Sequence, residues 1–240
     1  MKKIFGYTLL SIFSIVIFLA LVIPLNSLRS IEGIKDYFII IAPIYSIIFF
    51  TLLNFLYSKI FFRFGVKNKI FLFKTKPLLT IFLTIIIFSI VYYVLLLVLN
   101  IDYHLNSKNL ASLLPGLQAP LLEEIIFRGY LLHTFIETKC NKYLSLIIVS
   151  LIFGALHMIN YFLGDPISLS YILGVAAGGI LLGSIYIRFG LWISIIVHYL
   201  WNSSNSLFLK ANDLETNVEV HIILIIISVC ILLIRKKKTK

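Results

Sequence analysis

Eight stretches of this 240-residue chain are apolar over lengths at or near what a bilayer crossing needs, and this repetition restricts the fold more than any motif does. A helix needs about 20 predominantly apolar residues to cross the hydrocarbon core. There, each backbone N–H and C=O must be satisfied within the protein, which a helix does by itself. The stretches are 4–25, 37–57, 78–101, 110–136, 143–163, 167–187, 191–209 and 220–234. They predict an all-α, polytopic membrane protein with eight transmembrane helices and short loops, built as a single integral membrane domain over 1–240. With 60% hydrophobic and 13% charged residues, too little polar surface exists to cover a soluble globule.

The formal charge of +11 could suggest a nucleic-acid partner, but the placement of the positive residues points to topology instead. Of the 21 Lys and Arg, all but Arg29, Lys35, Lys108, Arg128 and Lys210 lie in the N-terminus, loop 58–77, the turns at Lys139–Lys142 and Arg188, and the tail after Ile234. By the positive-inside rule these segments are cytoplasmic, so both termini are expected on that side of the cell membrane, which agrees with an even number of spans. The partner expected on composition is the lipid bilayer, not nucleic acid. Lys2 and Lys3 before an apolar run could open a signal peptide, but the run is long and lacks a small-x-small cleavage site, so it reads as a retained span. Cys140 and Cys230 fall on or near the reducing side and are expected as free thiols.

Three charges stand inside the fourth apolar stretch: Glu123, Glu124 and Arg128. An ionisable side chain near the bilayer centre costs roughly 2.5–3.5 kcal/mol on insertion scales, so it usually faces a protein interior or wet cavity and serves function. Consecutive helix residues diverge by about 100°, whereas residues four apart share a face. Glu124 and Arg128 therefore pair, which leaves Glu123 to face elsewhere. A carboxyl in such a place is suited to proton exchange and hence to general-base work. A buried structural ion pair beside a solvated glutamate is the plainer reading of the same residues.

His157 and His198 lie similarly deep in the fifth and seventh stretches. His157 follows Phe153 by one helical turn, and His198 precedes Asn202 by one. Taken alone, His157 reads as a hydrogen-bonded core residue, and His198 with Asn202 as polar contacts between helices. All of these positions, however, fall within a few residues of mid-span, so three helices could bring Glu123, His157 and His198 to one depth.

Glu-Glu-x-x-x-Arg (Glu123, Glu124, Arg128), Phe-x-x-x-His (Phe153, His157) and His-x-x-x-Asn (His198, Asn202), in this order on three apolar helices, resemble the signature of the CPBP family, the CAAX proteases and bacteriocin-processing enzymes. The resemblance covers a catalytic core of about 117–205. It implies an intramembrane endopeptidase in which Glu123 activates water with help from His157. His198 and Asn202 would donate hydrogen bonds to the oxyanion, and Glu124 and Arg128 would hold the helix of Glu123. The family has been described both as glutamate-type and as metal-dependent. Two histidines and a carboxylate match a catalytic zinc set, so Zn stays open as a cofactor, although no His-Glu-x-x-His helix is present.

No Gly-x-Ser-x-Gly elbow is present for a serine mechanism. Gly174, Gly178, Gly179 and Gly183 form two small-xxx-small patterns that suit close helix packing. Two other functions compete. A non-catalytic bacteriocin-immunity or scaffold protein would be expected to lose motif residues, and this chain keeps all six. A proton-coupled transporter would be expected to show a repeated half, and none is visible. Peptide maturation, bacteriocin processing and self-immunity are the settings that the enzyme reading suggests.

Overall fold

In a computed structural model, residues 77–101, 117–162, 167–208, 214 and 216–234 are described, with a few isolated positions before them. Every element among the described residues is helical, as expected: α1 Pro77–Val98, α2 Gln118–Glu124, a π-helix Ile125–Leu132, α3 His133–Glu137, α4 Lys142–Leu156, α5 Ile159–Phe162, α6 Leu169–Phe189, α7 Leu191–Phe208 and α8 Val218–Leu233. The expected spans 4–25 and 37–57 lie outside the described residues. Among the described residues, three helices are long and apolar enough to cross a membrane, over Leu79–Val98, Lys142–Tyr161 and Leu169–Phe189, while Val218–Leu233 is apolar but shorter.

Local chemistry explains where these helices begin and end. Asn141 caps α4 by accepting from the backbone N–H of Tyr143 and Leu144 at 2.9 and 3.3 Å. Asn217 caps α8 by accepting from Glu219 and Val220 at 2.8 and 3.2 Å, and the Ser168 hydroxyl accepts from Tyr171 at 3.0 Å to start α6. Each satisfies orphan donors of a first turn. At the far end of α1, Asn100 takes a left-handed conformation (φ 50°), and the Ile101 N–H reaches back to the Leu96 carbonyl at 3.0 Å. This is the bonding of a Schellman stop, for which Asn is among the tolerated residues.

The chain forms two compact units, Met1–Leu72 with Ser107–Ser145 and Phe73–Asn106 with Leu146–Lys240. In the first, α2, the π-helix and α3 run on as one helical rod. Of the stretch expected as the fourth span, residues 118–136 are helical, but not as a regular α-helix: the His133 N–H donates to the Arg128 carbonyl five residues back. All eight residues from Ile125 to Leu132 are buried.

In the second unit, Tyr92, Leu95, Leu96, Ala177, Val220 and Leu224 form a core between α1, α6 and α8. The outer faces of α1 and α8 stay bare, with Phe82 61% and Leu233 73% exposed. Continuous apolar faces of this kind are costly in water and neutral in lipid. The Tyr92 hydroxyl donates to Asn205 Oδ1 at 2.9 Å, and its ring meets Trp201 edge-on at 6.0 Å, which fixes α7 against α1.

A single residue, Gly190, joins α6 to α7. Its φ of 100° and ψ of 177° lie in a region open essentially only to glycine. The tight corner folds α7 back along α6, where the buried Ser194 hydroxyl donates to the Leu182 carbonyl at 3.0 Å. Ser194, His198 and Asn202 follow at intervals of four, so this bond sets the rotation of the face that carries the last two.

Candidate active site

Glu124 and Arg128 sit on the helical rod of the first unit. The Arg128 Nη1 donates to Glu124 Oε1 at 2.7 Å, and the two side chains are 0% and 1% exposed. Both charges are thus withdrawn from solvent, a cost that their mutual neutralisation and hydrogen bond offset. The pair straddles the change from α to π winding. Glu123, the last residue but one of α2, is half-buried and close enough to act electrostatically on the Arg128 guanidinium. The i, i+4 pairing expected from the sequence is present, and Glu123 is the less buried carboxylate.

Phe153, His157, His198 and Asn202 belong to the second unit. The Phe153 ring, 3% exposed, is shared by both histidines: it meets the His157 ring edge-on at 4.6 Å and the His198 ring edge-on at 6.3 Å. His198 is buried, and His157 and Asn202 are half-buried. The structure therefore brings both of these histidines against one phenylalanine, with Asn202 a turn beyond His198 on α7.

His157 does not lie within a continuous helix, as its apolar stretch suggested. α4 ends at Leu156, and the His157 N–H bonds to the Gly154 carbonyl three residues back at 3.1 Å, followed by Met158 to Ala155 at 3.1 Å. In an α-helix the His157 N–H would bond to the Phe153 carbonyl. Here His157 Nδ1 occupies that carbonyl instead, at 2.8 Å. A carbonyl only accepts, so Nδ1 carries the hydrogen. In the neutral ring Nε2 is then a bare lone pair, able to accept a hydrogen bond, take a proton or ligate a cation.

Sequence reasoning placed the six polar residues but did not find the π-helix, the role of the Phe153 carbonyl or the Ser194 anchor. Apolar periodicity carries no mark of any of them, because each depends on which neighbour a backbone group meets. The glycine pattern in the sixth stretch was the available hint of close packing: a Cβ on Gly179 would meet Ser150 Cβ at 3.1 Å and Phe153 Cδ1 at 3.3 Å. Among the described residues no three or more His, Cys, Asp or Glu side chains stand where they could hold a metal ion. Both cysteines are free and exposed.

α7 also contributes Val197 and Trp201 to an apolar cavity of about 520 Å³, which Phe88, Tyr92, Leu181 and Leu224 line as well. Residues 105–204 match a protein-family model described as Type II CAAX prenyl endopeptidase Rce1-like, a stretch that contains Glu123, Glu124, Arg128, Phe153, His157, His198 and Asn202. No curated protein and no solved structure matches the chain. The family match agrees with the CPBP resemblance carried by the three motifs.

Proposed function

We infer that this chain, whose residues 105–204 are similar to type II CAAX prenyl endopeptidases, is an intramembrane endopeptidase that hydrolyses a peptide bond of a membrane-associated peptide or protein. The observation that carries this reading is that one family match spans all six polar positions singled out by their depth in apolar helices. In the mechanism we propose, Glu123 takes a proton from water as the water oxygen attacks the scissile carbonyl carbon. His198 and Asn202 donate to the oxygen that becomes negative, a contribution worth about 3–4 kcal/mol for a single donor in well-studied proteases. The C–N bond then breaks as Glu123 passes the proton to the leaving amine. With its Nδ1–H held by the Phe153 carbonyl, neutral His157 serves as an acceptor that orients the water. Glu124 and Arg128 hold the Glu123 helix without touching substrate.

The reading is tested by comparing envelope peptides of cells carrying the wild-type chain with those carrying Glu123→Ala. Uncleaved precursors should accumulate only in the variant, and identical peptide profiles would count against proteolysis.

An amide is a poor zinc ligand, and hydrogen-bond donors suffice for an oxyanion, so we propose a glutamate-dependent reaction. Protein stripped with a membrane-permeable chelator should keep most of its cleavage activity on a model peptide. Loss on chelation with recovery on added zinc would overturn this, and would recast the histidines as metal ligands.

We further propose eight spans with both termini cytoplasmic. Cys140, exposed in the turn between α3 and α4, offers a native probe beside Lys139 and Lys142. A membrane-impermeant thiol reagent should label it in inverted vesicles and not in intact cells. Labelling in intact cells would place this turn outside and reverse the orientation.

A further inference from the structure

We propose that Gly154 is a positioning residue for His157, which sets the tautomer of that ring through the way α4 ends. The inference rests on the reading of His157 as the residue that orients water. At Gly154, α4 packs directly against the backbone of α6. A Cβ at this position would meet the Ile172 carbonyl oxygen at 2.8 Å, Ala176 Cβ at 2.9 Å and the Ala176 backbone nitrogen at 3.2 Å. Two of these are backbone atoms inside α6, which cannot move aside as the end of a flexible side chain can. Only hydrogen at the α-carbon lets the helices lie this close.

The same residue is where the α4 hydrogen-bond ladder changes step. Its carbonyl accepts the His157 N–H at 3.1 Å, which shortens the spacing from four residues to three. The Phe153 carbonyl accepts from His157 Nδ1 at 2.8 Å. The backbone N–H and the ring N–H of one histidine thus bond to two different carbonyls, and the tight seam at Gly154 holds the chain in this turn. If α4 is pushed away from α6, the turn shifts, the ring is carried off the Phe153 carbonyl and Nε2 no longer stays bare. Phe153, held in the same seam by Gly179, moves with it and carries the edge contact to His198.

The test is the nitrogen NMR spectrum of the full chain in nanodiscs, labelled with ¹⁵N-histidine and recorded at mildly alkaline pH. Its five histidines allow His157 to be assigned by loss of its signals in His157→Gln. In wild type, Nδ1 should show the protonated signature and Nε2 the unprotonated one. Gly154→Ala should give a mixture of both tautomers and lower peptide cleavage by on the order of 10²-fold, the scale of a misplaced catalytic group. Gly178→Ala is the matched control on α6, since a Cβ there has nothing within 4 Å, and it should change neither.

A wild-type ring protonated at Nε2, or a His157 tautomer unmoved by Gly154→Ala, overturns the proposal. If Gly154→Ala does not accumulate, Gly179→Ala is read instead. Its neighbours are chiefly side chains that give by tenths of an ångström, so a smaller shift in the same direction is expected, and none would overturn the proposal. The spectrum is independent of cleavage. A tautomer that moves as stated in a chain that cleaves nothing refutes the protease reading and leaves the positioning role standing. Wild-type cleavage by Gly154→Ala does the reverse.

Discussion

A membrane carrying the Glu123→Ala protein is expected to hold as much of the chain as a wild-type membrane and to cleave nothing measurable. Glu123 is half-buried and stands beside an arginine that already has a closer partner in Glu124. Its removal therefore leaves the Glu124–Arg128 pair in place. The chemistry has no substitute: general-base assistance typically contributes 10²–10⁴-fold. His157→Ala should have the same outcome by a different route. It forfeits one hydrogen bond to the Phe153 carbonyl, a net effect of about 0.5–1.5 kcal/mol, which is small beside the 5–15 kcal/mol of a typical fold. Immunoblots of membranes measure abundance, and a peptide-cleavage assay measures the rest. Full cleavage by either variant would sink the assignment of the site.

Arg128→Ala should behave in the opposite way, with abundance falling along with activity. Truncation leaves the Glu124 carboxylate, 0% exposed, without its counter-ion in an interior that includes Phe127, Tyr130 and Leu131. Breaking a buried pair from one side typically costs 3–5 kcal/mol, a large share of a fold's stability. Replacing both partners is far milder, because no charge is left stranded. Glu124→Leu combined with Arg128→Met should therefore accumulate much closer to wild type than Arg128→Ala alone. Abundance and activity both unchanged in Arg128→Ala would refute the pairing. A double variant no more abundant than Arg128→Ala would show that the two side chains do more than neutralise each other.

The Glu124–Arg128 pair was legible because four-residue spacing on a helix is a local property: any helical winding near 3.6 residues per turn brings the two together. The limits of α1, α4, α6 and α8 follow in the same way from short-range signals. Asn141, Ser168 and Asn217 bond to amides two or three residues away, and apolar length decides which segments can lie in lipid. Positive residues gathered in alternate loops are likewise a property of the chain before it folds.

Tertiary structure decided the rest. Ile125–Leu132 has the composition of an α-helix and winds as a π-helix, fully buried. His157 was expected inside a helix and instead lies just past the end of one, where its ring replaces its own amide on the Phe153 carbonyl. The seam that makes room for this depends on Gly154 meeting Ile172 and Ala176, and the rotation of α7 depends on Ser194 meeting Leu182 across the Gly190 corner. Charge, apolar length and helical spacing act between near neighbours in the chain, so they can be read along it. A hydrogen-bonding group near a helix end has several acceptors of similar worth, and the choice among them falls to whichever distant backbone packs against that end.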